Sequence, residues 1–290
     1  MLSSENLKSE IHKIWPKEGP PSNEIEKYLK KYENDKIVVK CGGSVLIEPK
    51  LFDIFIQDIV ILKKLGLSPI IVHGGGKRIN HKLNELNIQS DFIKGLRVTD
   101  VRTINVVKDV LIEFNKEIEK ALKEKNCKAR SVTTKEYNII SVKPEREELG
   151  FVGTPTNINA NILNGILKNN EIPVIAPLGL DKNNQVFNIN ADSAAGAIAK
   201  ELNARRLLMI SDVEGVLNTK KYLIPEITPT QAIKMINDEI IVGGMIPKIN
   251  TCIDAVSNGV KGVVIIDGRR SHSMLFELFS DQGAGTLIRK

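Results

Sequence analysis

The stretch Lys36 to Ser44, KIVVKCGGS, constrains the fold of this chain more than any other. A β-branched run, Ile37-Val38-Val39, ends in Lys40 and enters Gly42-Gly43 almost at once. A run this short and this branched reads as a buried strand. The glycines then let the backbone take positive φ or approach a ligand closely. The pattern returns at Pro69 to Arg78, PIIVHGGGKR, where a second apolar run enters Gly74-Gly75-Gly76 and then a helical stretch. Each turn alone is an ordinary strand end. Together, one of them carrying Lys40, they form a paired cradle suited to an anion.

From Ile37 onward apolar strands alternate with amphipathic helices. The spacing predicts strands at 37–40, 69–72, 139–142, 173–176, 207–210 and 263–266, and helices at 51–65, 77–87, 100–124, 156–169, 192–203, 229–237 and 248–258. Such alternation predicts an α/β fold with a mainly parallel open sheet and helices on both faces. The helix at 229 carries Thr228 as N-cap, Pro229 at its first position and Gln231 two further on, a capping-box arrangement. The loop-rich span Pro177 to Gln185 is the expected boundary between an N-terminal lobe, 36–180, and a C-terminal lobe, 181–290. Residues 1–35 form a helical extension. Leu7, Ile11, Ile14 and Trp15 fall at helical spacing, prolines 16, 20 and 21 interrupt it, and a second helix starts at Asn23 with the stripe Ile25, Tyr28, Leu29 and Tyr32. That stripe requires a surface, either on its own domain or on another subunit.

Composition narrows the function classes. The chain of 290 residues has a net charge of +6, but its lysines are dispersed and aromatics make up only 4%, which disfavours nucleic-acid binding. No apolar run reaches the roughly 18 residues of a membrane span. Glu5, Glu10 and Glu18 argue against a secretory signal or an organellar transit peptide. Cys41, Cys127 and Cys252 are scattered without a C-x-x-C pair and read as reduced thiols of a cytoplasmic protein. A P-loop fails because Gly76-Lys77 is followed by Arg78, and the dinucleotide fingerprint fails because Gly74-x-Gly76 leads to Ile79. The cysteines and histidines lack the spacing of a zinc site.

What remains is a dispersed set: Lys40, the glycines at 74–76, GLRVTD at 95–100, NINAD at 188–192 and GGMIPK at 243–248. With ELGFVG at 148–153 and SDVEGVLN at 211–218, it resembles the amino acid kinase family, over about Ile37 to Ile288. Within the family it is most similar to the branch that uses ATP to phosphorylate the side-chain carboxylate of N-acetyl-L-glutamate in arginine biosynthesis. The resemblance implies a three-layer αβα sandwich, an acid-binding N-terminal lobe and an ATP-binding C-terminal lobe. A carboxylate nucleophile with a pKa of about 4.3 is already ionised at neutral pH. It requires no general base, only positioning and charge stabilisation of the moving phosphoryl group.

By this resemblance Lys40 and Lys248 flank the transferred phosphoryl, and Asp192 holds both ammonium groups. Gly75, Gly76, Arg97 and Asn188 bind the acid, Arg97 as a fork for its α-carboxylate. Gly43, Ser211, Asp212, Gly243, Gly244 and Met245 contact ATP. Mg²⁺ is carried by the nucleotide, with no dedicated protein metal site. Asn190 reads as a helix N-cap and His73 as structural. The N-terminal helix and the ending HSMLFELFSDQGAGTLI resemble arginine-inhibited members, which assemble as hexamers, trimers of dimers. Tyr28, Glu277 and Gly283 fall on the positions that bind L-arginine there, while Val264 stands where a histidine is usual. SVTTKEYN at 131–138 and VLIEFNKEI at 110–118 also depart from the family's glycine pattern. Two alternatives stay open: a sister kinase for aspartate or a carrier-linked aminoadipate, and a non-catalytic arginine-responsive subunit.

Overall fold

A computed structural model describes residues 14–21, 25–32 and 34–290. The helix expected around Leu7 and Ile11 and the N-cap expected at Asn23 lie outside the described residues. In chain order the main elements are α1 (Ile25–Tyr32), β1 (Lys36–Cys41), α2 (Pro49–Lys64), β2 (Ser68–His73), α3 (Gly76–Glu85), β3 (Phe92–Ile93), β4 (Leu96–Arg97), α4 (Val101–Glu124), β5 (Ala129–Val132), β6 (Ile140–Pro144), β7 (Gly153–Ile158) and α5 (Ala160–Lys168). There follow β8 (Ile172–Ile175), β9 (Leu178–Leu180), β10 (Val186–Asn188), α6 (Ala191–Glu201), β11 (Arg206–Ser211), β12 (Glu226–Ile227), α7 (Pro229–Asn237), α8 (Met245–Ser257), β13 (Val263–Asp267), α9 (Ser273–Phe279) and β14 (Gly285–Ile288).

The main sheet runs β12-β14-β13-β11-β1-β2-β8-β5. Its pairings are parallel except for β13 with β14. The KIVVK run is thus a central strand: Ile37 lies opposite Pro69 of β2 on one side and Arg206 of β11 on the other. Alternate residues of β1 feed opposite cores, as period-2 geometry requires. Ile37, Val39 and Cys41 pack with residues of α1, α2, α4 and α9. Val38 packs with residues of α5, α6, α7 and α8. Three layers result. A buried pair, His272 Nδ1 to Asp58 Oδ1 at 2.6 Å, joins α2 to the start of α9.

Local chemistry explains the best-defined elements. Asp100 accepts a hydrogen bond from the Thr103 N–H at 2.7 Å and starts α4, whose buried stripe Ile104, Val107, Leu111, Phe114, Ile118 and Leu122 follows helical spacing. Thr228 and Gln231 form the expected capping box of α7. Lys94 and Gly95 have φ of 50° and 81°, the turn that closes the β3–β4 hairpin.

Three expectations need correction. The helix predicted over 156–169 begins only at Ala160, because 153–158 forms β7. The alternating Thr154 and Thr156 suit a strand, and β7 lies at the edge of the small sheet β10-β9-β6-β7, where Pro155 costs no ladder bond. The loop expected over Pro177 to Gln185 contains β9 of that sheet. Gly179 hides this strand in the sequence. It is required there because an added Cβ would lie 2.6 Å from Val142 Cγ1. Finally, α8 starts at Met245 and not at 248, with Pro247 inside its first turn, where a missing N–H is tolerated.

Candidate active site

Both glycine turns leave the same end of the sheet, after the neighbouring parallel strands β1 and β2. Ligands of open α/β sheets bind at this carboxyl end. Lys40, the penultimate residue of β1, is 8% exposed. Its Nζ lies 3.0 Å from Asp192 Oδ1. Lys248, in the first turns of α8, places its Nζ 2.6 Å from Asp192 Oδ2. One carboxylate therefore bridges two ammonium groups that come from β1 and α8. Burial alone would push the Asp192 carboxyl up, but the charges of Lys40 and Lys248 outweigh it and hold it at about 2.

Two features of the sequence make this bridge possible. Asn190 caps α6, accepting from the N–H groups of Asp192 at 2.9 Å and Ser193 at 3.1 Å. Asp192 thus sits in the first turn, where the helix dipole favours an anion. Then α6 runs through Ala194, Ala195, Gly196, Ala197 and Ala199, and an added Cβ at Gly196 would lie 2.8 Å from Thr251 Cγ2 of α8. The small-residue stripe lets α8 approach closely enough for Lys248 to reach Asp192. Gly196 belongs to no motif; the signal that marks it is the run of small residues. Gly42 makes room for the first ammonium group. An added Cβ there would overlap Lys40 Nζ.

Around the bridge lie two cavities that share Gly95, Leu96, Val152 and Asn190. The first, about 280 Å³, is lined by Lys40, Gly43, Gly75, Gly76, Arg97 and Asn188 among others. The second, about 420 Å³, is lined by Asp192, Gly244 and Lys248 among others. Gly75 is the N-cap of α3 and Gly76 its first residue, so unpaired N–H groups face the first cavity, an arrangement that favours anions.

Arg97 is 6% exposed. Its Nη2 donates to Asn80 Oδ1 at 2.6 Å, its Nη1 donates to Ser90 Oγ, and its guanidinium carbon lies 4.6 Å from the Phe92 ring centroid. Its hydrogen-bond acceptors, Ser90 Oγ, Asn80 Oδ1 and the Gly76 carbonyl, are all neutral. Burial pulls its pKa down. A nearly buried cation held only by neutral partners keeps an unmatched charge.

Asp212, at the end of β11, accepts the Ser44 N–H at 2.7 Å. Gly43 has φ +67°, and a Cβ added there would overlap Asp212 Oδ1. The turn after β1 is thereby locked by a distant carboxylate. Asp212 itself, Ser211 and Met245 line neither cavity, and neither does Gly243 (φ +57°), which lies just before the start of α8. His73 is fully buried: its Nδ1 pairs with the Gly74 carbonyl at 2.9 Å and its Nε2 with Asn115 Nδ2 at 3.0 Å. Burial pushes it down to about 4, so it is a neutral strut under the second glycine turn, as its structural reading required.

Tyr28, Glu277 and Gly283 are brought together away from this site, where α1 packs on α9. The Tyr28 hydroxyl donates to Asp281 Oδ1 at 2.5 Å. Glu277 Oε2 accepts from the Ala284 N–H at 2.9 Å, and a Cβ on Gly283 (φ +66°) would lie 3.0 Å from the same oxygen. Burial pushes the Glu277 carboxyl up. Val264 is fully buried in the sheet on the face that α1 and α9 cover.

This mainly parallel α/β sheet, with a lysine–carboxylate–lysine bridge between two cavities at its carboxyl end, belongs to a chain whose residues 35–267 match the model of the amino acid kinase family. The chain belongs to that family and is a kinase of it. It is 64% identical over 97% of its length to the acetylglutamate kinase of Pelagibacter ubique, covering 98% of that protein. It is 42% identical to the acetylglutamate kinase of Ruegeria pomeroyi, covering 97% of this chain and 98% of the relative. Among solved structures, N-acetylglutamate synthase from Neisseria gonorrhoeae, complexed with coenzyme A and N-acetyl-glutamate, superposes with a TM-score of 0.84 at 22% identity. That match covers 92% of this chain and 62% of the synthase chain and speaks to the fold. Among the described residues no helix is long and apolar enough to cross a membrane.

Proposed function

We infer that this chain transfers the γ-phosphoryl group of ATP to the side-chain carboxylate of N-acetyl-L-glutamate, forming N-acetyl-L-glutamyl 5-phosphate on the route to arginine. The bridge of Lys40 and Lys248 across Asp192 carries this reading. A carboxylate attacking a triphosphate brings two anions together, and the barrier falls when fixed cations meet the charge that develops on the phosphoryl oxygens. Asp192 keeps both ammonium groups in place and stays ionised, so neither lysine reorganises during transfer. His73 is locked in a neutral network and takes no proton, which suits a nucleophile that has none to give.

Arg97 pairs with the α-carboxylate of the acid, Asn188 binds its acylated amine, and the Gly75 and Gly76 N–H groups face the carboxylate under attack. The nucleotide lies toward Gly43, Ser211, Asp212 and the 243–245 turn, so that 36–180 serves as the acid lobe and 181–290 as the nucleotide lobe. Asp192 and Asp212 are both already engaged by lysines, which fits a metal ion held by the nucleotide. Carried in with the nucleotide, Mg²⁺ would supply further charge neutralisation. L-Arginine acts at Tyr28, Glu277 and Gly283, through a hexamer built as a trimer of dimers, in the cytoplasm. The clustering of those three residues where α1 meets α9 supports a regulatory site.

A hydroxylamine trap with ATP and a panel of acids tests the assignment. Hydroxamate forms with N-acetyl-L-glutamate and not with aspartate, and millimolar arginine suppresses it. Lys40→Ala and Lys248→Ala each lower kcat by roughly 10²–10³, the scale of losing one donor to a transition-state anion. Product with another acid only, or unchanged turnover in both variants, would overturn it.

A further inference from the structure

Lys77 stands outside the proposed transfer step. It is the second residue of α3, in a first turn without an acidic residue, where the helix dipole opposes a cation. Something else must hold it. Its Nζ lies 3.1 Å from Asp212 Oδ2 and donates to Ser44 Oγ, also at 3.1 Å. Asp212 in turn accepts the Ser44 N–H through its other oxygen and occupies the space a Gly43 side chain would need. Three segments, the turns after β1 and β2 and the end of β11, are therefore tied at one carboxylate. Ion pairs as exposed as this one, 48% and 33%, contribute little to stability on their own. The value of this one lies in where it stands: Lys77 and Gly43 line the same cavity.

The carboxylate creates a difficulty for the nucleotide. The Gly43–Ser44 turn requires Asp212, yet an ionised carboxylate beside that turn repels a triphosphate. Burial alone would push the Asp212 carboxyl up, but the Ser44 N–H and Lys77 hold it below the usual range, so it carries its charge at neutral pH.

We propose that Lys77 is a positioning residue for ATP, which neutralises Asp212 and so lets one carboxylate both brace the Gly43–Ser44 turn and tolerate the donor's phosphates beside it. The proposal rests on the nucleotide placement proposed above and names a residue of the acid-side turn as a determinant of nucleotide affinity.

Calorimetry with Mg²⁺ and the non-hydrolysable analogue AMP-PNP, with no acid present, reads the effect without turnover. Lys77→Met weakens analogue binding about tenfold, equivalent to about 1.4 kcal/mol, and raises the KM for ATP alike. The KM for the acid and kcat stay within about twofold. Lys77→Arg restores most of the affinity. In an Asp212→Asn background, whose amide oxygen still accepts the Ser44 N–H, Lys77→Met costs less than about threefold, because the charge to be neutralised is gone. An equal loss in both backgrounds would mean that Lys77 touches the phosphates directly. Unchanged affinity would make the pair a surface contact, and parallel shifts in kcat and both KM values would indicate a folding defect. Each of these overturns the proposal. Wild-type protein that binds the analogue but forms no hydroxamate with N-acetyl-L-glutamate would instead overturn the acceptor assignment and leave Lys77 standing.

Discussion

The two glycine turns are spelled alike and are held by opposite means. The turn after β1 is closed electrostatically: Gly43 is left-handed, and Asp212, from a strand far along the chain, hydrogen-bonds the Ser44 N–H and fills the missing side chain's place. The turn after β2 is closed by apolar contact and a neutral network. Gly75 has φ −166°, outside the left-handed region, and an added Cβ would lie 2.6 Å from Leu111 Cδ2 of α4, while His73 and Asn115 brace the strand beneath. In one turn glycine is demanded by backbone conformation; in the other it is demanded by a neighbour's methyl group. The difference decides what each turn withstands.

The largest expected effect falls on the first turn. Gly43→Ala places a side chain where φ is positive and displaces Asp212, so kcat/KM for ATP falls roughly 100-fold with the KM for the acid nearly unchanged. Steady-state kinetics with each substrate varied checks this. Equal losses for both substrates would erase the distinction between the turns.

Gly75→Ala meets only the far end of a leucine. It lowers stability by about 1–3 kcal/mol through overpacking and raises the KM for the acid more than that for ATP. Leu111→Ala alone opens a void, and the two changes together destabilise less than their sum, since the added methyl lies in the space vacated. Denaturant melts of both single variants and the double variant sharpen the comparison. Strict additivity would show that the contact with Leu111 is not what selects glycine.

The smallest effect is the response to acid. His73 has a folded pKa of about 4, depressed from 6.5 by burial. A histidine depressed in the folded state binds fewer protons there than in the unfolded chain. It stabilises above the unfolded value, and this contribution declines as pH falls from about 6.5 through about 4. Asp212 and Asp192 are both held below the ordinary carboxylate range, so the first turn and the lysine bridge keep their charges over that interval. Acid therefore loosens the second turn before the first. Stability measured from pH 7 to 4 declines more steeply in wild type than in His73→Gln, and parallel profiles would refute the assignment.

How much of this was legible beforehand follows from the range of the interactions. Strand-to-glycine turns, the capping box at Thr228, the cap at Asn190 and the alternation of strand and helix are local, and each appears in the structure where the residues place it. The motifs that marked Lys40, Asp192 and Lys248 by resemblance also led to residues that meet in space. What stayed hidden depends on partners remote in sequence. The strand β9 is masked by Gly179, whose reason is Val142. Gly196 reads as one small residue among many until α8 lies across it. Lys77 lies within the motif PIIVHGGGKR, but its meaning depends on Asp212. The strand β7 stays hidden because it tolerates Pro155 only at a sheet edge, and an edge position is a property of the assembled sheet.

The central place of β1 has a consequence during synthesis. One neighbour, β2, leaves the ribosome soon after it, but the other, β11, arrives only in the last third of the polypeptide. Until then, an apolar strand shows a row of unanswered N–H and C=O groups, a template for pairing with the wrong chain. Transcripts cut short before β11 should yield insoluble protein, and Lys40, the lysine proposed to meet the transferred phosphoryl group, sits on the strand most exposed to that hazard.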